Sequence, residues 1–190
     1  MEIDDIDAYL KEGSRVRLSI DKNQVYNLGL KIYDCLKNGG KILIMGNGGS
    51  AADAQHIAAE FVGKFLKERR ALPAIALHTN TSSLTAIAND YSYDDVFARQ
   101  IEAFAKPGDV VIGISTSGNS RNVLKAVDKA NELSCLTVGL TGRSGGKLKD
   151  AAKLVIRVDS DSTPLIQEAH ITIGHILSNI VEDLITKMDA

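Results

Sequence analysis

The sequence predicts a doubly wound α/β fold: a five-stranded parallel sheet covered on both faces, with additional helix at each end of the chain. Three observations predict it. Five short apolar runs, at 41–45, 74–77, 109–114, 136–140 and 154–158, are continuous rather than alternating, which is the pattern of strands buried on both faces. Segments of helical period, such as 51–65 and 123–133, separate them as the crossovers of a parallel sheet require. The first and third runs end in loops of glycine and hydroxyl residues where a helix begins, and in such sheets ligands bind beyond the carboxyl ends of the strands.

The elements follow in order. The first forty residues read as helical, with Val25, Leu28, Ile32 and Leu36 on one face at three- and four-residue steps. Asn38-Gly39-Gly40 ends that segment, because glycine supplies the positive φ of a helix C-cap. After the last strand, Pro164 opens a long apolar-periodic segment to about Ile185. The 190 residues suit one domain, 1–190, with a helical extension over 1–38 and a C-terminal helix over 163–187. A chain this long buries roughly 70% of its unfolded surface and needs neither metal nor disulfide merely to fold.

Composition removes several function classes. Lys and Arg number 22 against 24 Asp and Glu, a net charge of −2, without the basic excess of a nucleic-acid binder. No apolar run approaches the ~18 residues of a membrane helix. The start, Met1-Glu2-Ile3-Asp4-Asp5, is acidic where a secretory signal is basic. Cys35 and Cys135 form no metal-type spacing, so a reducing, cytoplasmic setting is expected.

The loop Gly46-Asn47-Gly48-Gly49-Ser50 lets backbone approach a ligand closely and leads into a helix N-terminus, with Ser50 as expected N-cap and Asp53 as its reciprocal partner. An ordinary strand-to-helix turn carries the same residue types. Gly46, Gly48 and Ala51 also match G-x-G-x-x-A, but no acidic residue follows at the end of the second strand, Leu77-His78-Thr79, so no nucleotide cofactor is expected. Ser115-Thr116-Ser117-Gly118-Asn119-Ser120 offers four hydroxyls where one would cap a helix. A phosphate monoester, which accepts several hydrogen bonds at once, accounts for the excess; a solvated Ser-rich turn is the alternative.

Gly46 to His56 (GNGGSAADAQH) and the 115–120 hydroxyl loop resemble the signature loops of the sugar isomerase (SIS) domains. Within that family the chain is most similar to the phosphoheptose isomerases, through Thr85-Ala86-Ile87-Ala88-Asn89-Asp90, Ile166-Gln167-Glu168-Ala169-His170 and Gly174-His175-Ile176-Leu177. The resemblance implies a flavodoxin-like SIS fold and an enzyme converting sedoheptulose 7-phosphate to D-glycero-D-manno-heptose 7-phosphate. It implies that Ser115, Thr116, Ser117 and Ser120 hold phosphate, and that Asn47, Gly48, Gly49, Ser50, Asn89 and Asp90 contact the sugar. His56, Glu60, Gln167 and His175 would line the reacting end and bind zinc, with Glu60 and Gln167 also touching substrate. It further implies a homotetramer, for which Ile173, Leu177, Ile180, Leu184 and the 25–36 face offer apolar surface. Those faces would otherwise cover the chain's own sheet. Two positions depart from the family: Lys64 and Leu165 stand where arginine is usual.

His56 and Glu60, four apart, share a helix face. Gln167 and His175 lie eight apart, about 12 Å along a helix axis. A ketose becomes an aldose when a proton leaves C1 and returns to C2 while oxygen-bound protons exchange. Glu60 is the expected base, partly desolvated with help from Phe61 and Phe65, and His175 the acid/base partner. The alternatives are a non-catalytic SIS protein, which binds a sugar phosphate or associates with a replication initiator, and an isomerase of another sugar phosphate.

Overall fold

The computed structural model describes residues 2–189; Met1 and Ala190, the ends of the expected 1–190 domain, lie outside the described residues. Two helices, α1 (Ile3–Leu18) and α2 (Lys22–Lys37), precede β1 (Ile42–Gly46) and α3 (Gly49–Val62). Then come β2 (Ala74–Ala76), α4 (Thr81–Asp90), a 3₁₀ turn (Tyr93–Asp95) and α5 (Ala98–Phe104). The chain continues through β3 (Val110–Ile114), α6 (Arg121–Glu132), β4 (Leu136–Thr141), α7 (Leu148–Ala151), β5 (Leu154–Arg157) and α8 (Thr163–Asp189). All five expected strands form, and they pair in parallel in the order β2-β1-β3-β4-β5. This is the flavodoxin-like order, whose direction reverses between β1 and β3.

Alternate residues of each strand serve opposite faces. Ile42 and Ile44 meet Val16, Ile32, Ile57, Phe61 and Ile173 in one core, while Leu43 and Met45 meet Phe97, Ile101, Val123 and Leu148 in the other. Helices α1, α2, α3 and α8 therefore cover one face, and α4, α5, α6 and α7 the other. The expected amino-terminal helical segment is two helices. They break at 19–21, where Asp21 accepts hydrogen bonds from the N–H groups of Asn23 (2.9 Å) and Gln24 (3.0 Å) as the N-cap of α2. Asn38 caps its other end, with Gly39 at φ +80°, as the sequence predicts. Helix α4 fully buries none of its residues, and only the short stripe Leu84, Ile87 and Ala88 packs on the second core, too small a signal for the sequence to announce the helix.

Val25, Leu28, Ile32, Leu36, Ile173 and Leu177 are buried within their own chain and are not free to meet a second copy. The large apolar side chains that remain exposed are Ile3, Ile6, Leu10 and Leu18 on α1, Tyr26 on α2, and Ile176 and Met188 on α8, among the described residues of these helices. No helix among the described residues is long and apolar enough to cross a membrane.

Helices α3 and α8 run side by side in the same direction. Gln167 meets Gly49, Gly174 meets Ile57, His175 meets His56, and Glu182 meets the turn that follows α3. Gly174 permits this approach, since a Cβ there would collide with Ile57 Cγ1 and Cδ1. Gly174→Ala gains helix propensity worth up to about 1 kcal/mol but overpacks a buried seam, which typically costs 1–3 kcal/mol. A net loss of roughly 1 kcal/mol is expected from the shift in urea midpoint at unchanged m-value.

Candidate active site

Strands β1 and β3 are neighbours, with Gly46 opposite Ile114, so the two loops that leave them emerge together at the switch point. Between them lies a cavity of about 310 Å³, lined by Asn47, Gly48, Gly49, Ser50, Ile114, Ser115, Thr116, Ser120, Thr163 and Gln167. No charged side chain lines it. Three helix N-termini do converge there, those of α3 at Gly49, α6 at Arg121 and α8 at Thr163. Each brings N–H groups without intrahelical partners and a partial positive charge. A larger groove, about 620 Å³, runs between α2 and the β5 edge, but neither loop reaches it.

The cap of α3 differs from the sequence expectation. Gly48, at φ +56°, is the N-cap and no side chain bonds the helix end; Ser50 lies inside the helix and is buried. A capping serine would need extended backbone one residue before the helix, and the tight turn at Gly48 takes that place. Asp53, freed of the reciprocal role, has its Oδ2 buried without a hydrogen-bond partner. A Cβ on Gly49 would sit 2.5 Å from Gln167 Nε2, so a side chain there would push the Gln167 amide aside.

The hydroxyl loop is braced from within. Ser115 Oγ lies 2.9 Å from Ser120 Oγ, and the Thr116 carbonyl accepts the Gly142 N–H at 3.0 Å. Ser117 is exposed and lines a smaller neighbouring cavity with Thr116 and Arg143. Asn47 and Asn122 exchange two amide hydrogen bonds of 2.9 Å, and the Tyr93 hydroxyl donates to Asn47 Oδ1 at 3.0 Å. Neither Asn122, buried at the start of α6, nor Tyr93 was expected in the site; together they join the glycine loop to α6 and to the 3₁₀ turn. Asn89 and Asp90 end α4, exposed, with the Asn89 amide donating to Asp90 at 2.9 Å, and they do not line the cavity.

Two turns down the paired helices the fold gathers His56, Glu60 and His175, whose ligand-type atoms all lie within 4.8 Å of one another. His56 Nε2 is 3.0 Å from Glu60 Oε1 and 3.5 Å from His175 Nε2. The Glu60 side chain is 20% exposed, a partly desolvated carboxylate. Phe65 stacks on the His175 ring at 5.6 Å, whereas Phe61 turns into the core and takes no part. The other two histidines are core residues kept neutral by burial, His78 with its pKa lowered and His170 with its pKa pushed down to about 4. Two imidazoles and a carboxylate at this separation form a nitrogen/oxygen set that suits a divalent ion such as zinc. Gln167 lies by the cavity, at the start of the same helix as His175.

Of the two departures, Leu165 is buried beside Gly13 of α1, and Lys64 pairs with Glu68 on the exposed turn after α3. Neither lines the cavity.

An SIS domain model matches residues 8–142 of the chain. The chain belongs to the SIS domain family. A phosphoheptose isomerase of Geobacter sulfurreducens is 54% identical over 183 residues, covering 95% of this chain and 97% of that one. Among solved structures, a phosphoheptose isomerase of Francisella tularensis superposes with a TM-score of 0.91 at 34% identity, covering 96% of this chain and all of that one. The phosphoheptose isomerase of Neisseria gonorrhoeae gives a TM-score of 0.89 at 42% identity, over 95% and 98% of the two chains. Like these SIS relatives, the chain is an isomerase.

Burial pushes the Asp53 carboxyl up to about 6, against the pull of nearby His56. An unfolded aspartate titrates near 3.9, so between about pH 4 and 6 the folded chain holds a proton that the unfolded chain has released. Stability therefore falls as pH rises through that window. Asp53→Asn is expected to raise the urea midpoint relative to the parent at pH 7 and to give no gain at pH 4 or below.

Proposed function

We propose that this chain isomerises sedoheptulose 7-phosphate to D-glycero-D-manno-heptose 7-phosphate through an enediol. The observation that carries this reading is the spacing of two unlike groups. A neutral cradle of hydroxyls and helix N-termini stands at the head of α3 and α8, and an acid–base cluster stands two turns below. Gln167 and His175 are eight residues apart, about 12 Å along the axis. An extended seven-carbon phosphate spans roughly 10 Å at a little over 1 Å per bond, comparable to that separation. The names of the relatives support the same substrate.

In this reading Ser115, Thr116, Ser117 and Ser120 hold the phosphate, with Gly48 and Gly49 supplying backbone N–H groups and Ser50, whose own N–H is taken by the Asn47 carbonyl at 3.0 Å, supplying its hydroxyl. Asn47 and Gln167 contact the sugar from the cavity lining, and Asn89 and Asp90, which do not line it in this chain, are further sugar contacts that the resemblance implies. Glu60 takes a proton from C1 of the ketose and returns it to C2, and His175 moves the proton between the two oxygens, so that C2 is reduced and C1 oxidised without a redox cofactor. Zinc would be held by His56, Glu60 and His175 and, when bound, would polarise the substrate carbonyl; Gln167, the fourth ligand the resemblance implies, lines the upper cavity and stands apart from these three in the chain as folded. The homotetramer is proposed on the remaining exposed apolar side chains of α1, α2 and α8, and a cytoplasmic setting fits two unpaired cysteines.

Incubation with sedoheptulose 7-phosphate in deuterated water should give aldose carrying deuterium at C2. Chelation should slow turnover and added zinc restore it. Glu60→Gln should lower kcat by about 10²–10⁴-fold while sugar-phosphate binding stays measurable by calorimetry. A Glu60→Gln enzyme with wild-type turnover would refute the assignment. Light scattering should give four times the mass of the chain, and a monomer would remove the tetramer.

A further inference from the structure

We infer that Glu182 and Arg69, remote from any substrate, are positioning residues that hold the His175 imidazole in its working orientation by clamping the turn that carries Phe65. The inference deepens the reading above and rests on it for the role of His175.

Beyond α3 the chain runs through 63–70 without regular structure, and Lys64, Leu66, Lys67 and Glu68 are exposed. Such a turn has no ladder to satisfy its backbone groups. The Glu182 carboxylate, completely buried, lies beneath it. It accepts the N–H groups of Phe65 at 2.8 Å and of Leu66 and Lys67 at 2.7 Å each. Arg69, its side chain 1% exposed, places Nε 3.3 Å from the same carboxylate. Its Nη1 donates to the carbonyls of Phe61, Gly63 and Arg70 at 2.9 Å, and its Nη2 donates to the carbonyl of Glu60 at 2.6 Å. One ion pair thus fixes N–H groups on one side of the turn and carbonyls on the other, including that of the proposed base.

A buried ion pair is weak evidence for stability, since a well-packed apolar substitute is often as stable. Its geometry here serves shape. The clamp sets the peptide of Phe65, and the Phe65 ring covers one side of His175 at 5.6 Å and 25°. The His56 ring meets His175 edge-on at 5.0 Å and 71°. The His175 ring is thereby packed between two neighbours. Glu182 lies seven residues after His175, two turns along the same side of α8, so a single helix carries both the imidazole and the anchor of its aromatic cover.

The test uses Glu182→Gln, Arg69→Lys and Phe65→Leu in the full chain. The His175 ring resonances, assigned by their loss in His175→Gln, report the Phe65 stack with no substrate present. They should move toward the position of an uncovered imidazole in all three variants, while the His56 resonances move less. For sedoheptulose 7-phosphate, kcat should fall by about 10–100-fold with KM little changed, the signature of a misplaced group rather than a lost binding contact. Glu182→Gln placed in the Phe65→Leu background should cost little more than Phe65→Leu alone, because both act through one ring. Arg69→Lys carries the same readings if Glu182→Gln does not fold. Unmoved His175 resonances, or fully additive losses of kcat, would overturn the inference. The resonances are read without turnover, so inactivity on this substrate would remove the proposed reaction and leave the clamp still tested.

Discussion

The parallel contact between α3 and α8 is the constraint on which the site depends. Both helices begin at the carboxyl edge of the sheet, so their free N–H groups meet at one place. Because they run the same way, His56, two turns into α3, and His175, a little over three turns into α8, meet again at a second place. An antiparallel pair would have matched the head of one helix with the tail of the other and separated these functions. Gly49 and Gly174 allow the close approach: the first admits the Gln167 amide and the second admits Ile57. The small residues in the seam therefore fix where chemistry occurs as well as how tightly the helices pack.

Electrostatics divides the two places. The upper cavity has no lysine or arginine in its lining, so an anion there is met by dipoles and hydroxyls that need no desolvation of a counter-charge. Nearby charges are occupied with each other: Arg121 pairs with Asp94 at 2.8 Å and Lys125 with Asp95 at 2.9 Å. Those pairs tie the 3₁₀ turn to α6, and the same turn sends Tyr93 to Asn47. Hence the glycine loop, the hydroxyl loop and the segment after α4 are held as one frame around the cavity, although they are far apart in sequence. Asn47 Oδ1 already accepts from Asn122 and Tyr93, so Asn47 meets a ligand chiefly as a donor.

Much of the fold was legible because fully buried strands must be continuously apolar. The five runs needed no tertiary knowledge, and neither did the two loops, whose glycines and hydroxyls are in excess of what a turn requires. The pairing of His56 with Glu60 follows from helix period alone. Other features depended on contacts that local pattern does not encode. Ser50 has the right residue type for a cap, yet positive φ at Gly48 moved the cap elsewhere. Helix α4 lies on the surface and touches the core only through Leu84, Ile87 and Ala88, a period too short to stand out from its polar surroundings. Asn122 and Tyr93 are ordinary surface-type residues until the sheet brings three loops together. Glu182 did leave a sign: an acidic residue beside Val181 and Ile185 on a buried stripe needs a partner, but the sequence does not say that the partner is the backbone at 65–67.

The two ends of the sheet answer the same requirement in opposite ways. At the amino end the chain satisfies itself. Asp109, 1% exposed, accepts the N–H of Lys41 at 2.9 Å and of Lys106 at 2.8 Å, and its carboxylate meets Lys41 Nζ at 2.6 Å. That closes β1 and β3 where they enter the sheet. At the carboxyl end the same two strands open into loops where neither N-cap residue, Gly48 or Ser120, bonds its helix end by a side chain, and only some first-turn N–H groups find partners, Ser50 and Ala51 on backbone carbonyls and Val123 on Asn122 Oδ1. A fold that could cap those ends, with Ser50 and Ser120 both at hand, instead turns its serines into the cavity or into each other. The donors left over there, such as the Gly49 N–H, are costly unless water or a ligand meets them. The uncapped end is thus the part of the fold adapted to a ligand rather than to its own stability, and the clamped Phe65 turn is its counterpart beyond the far end of α3.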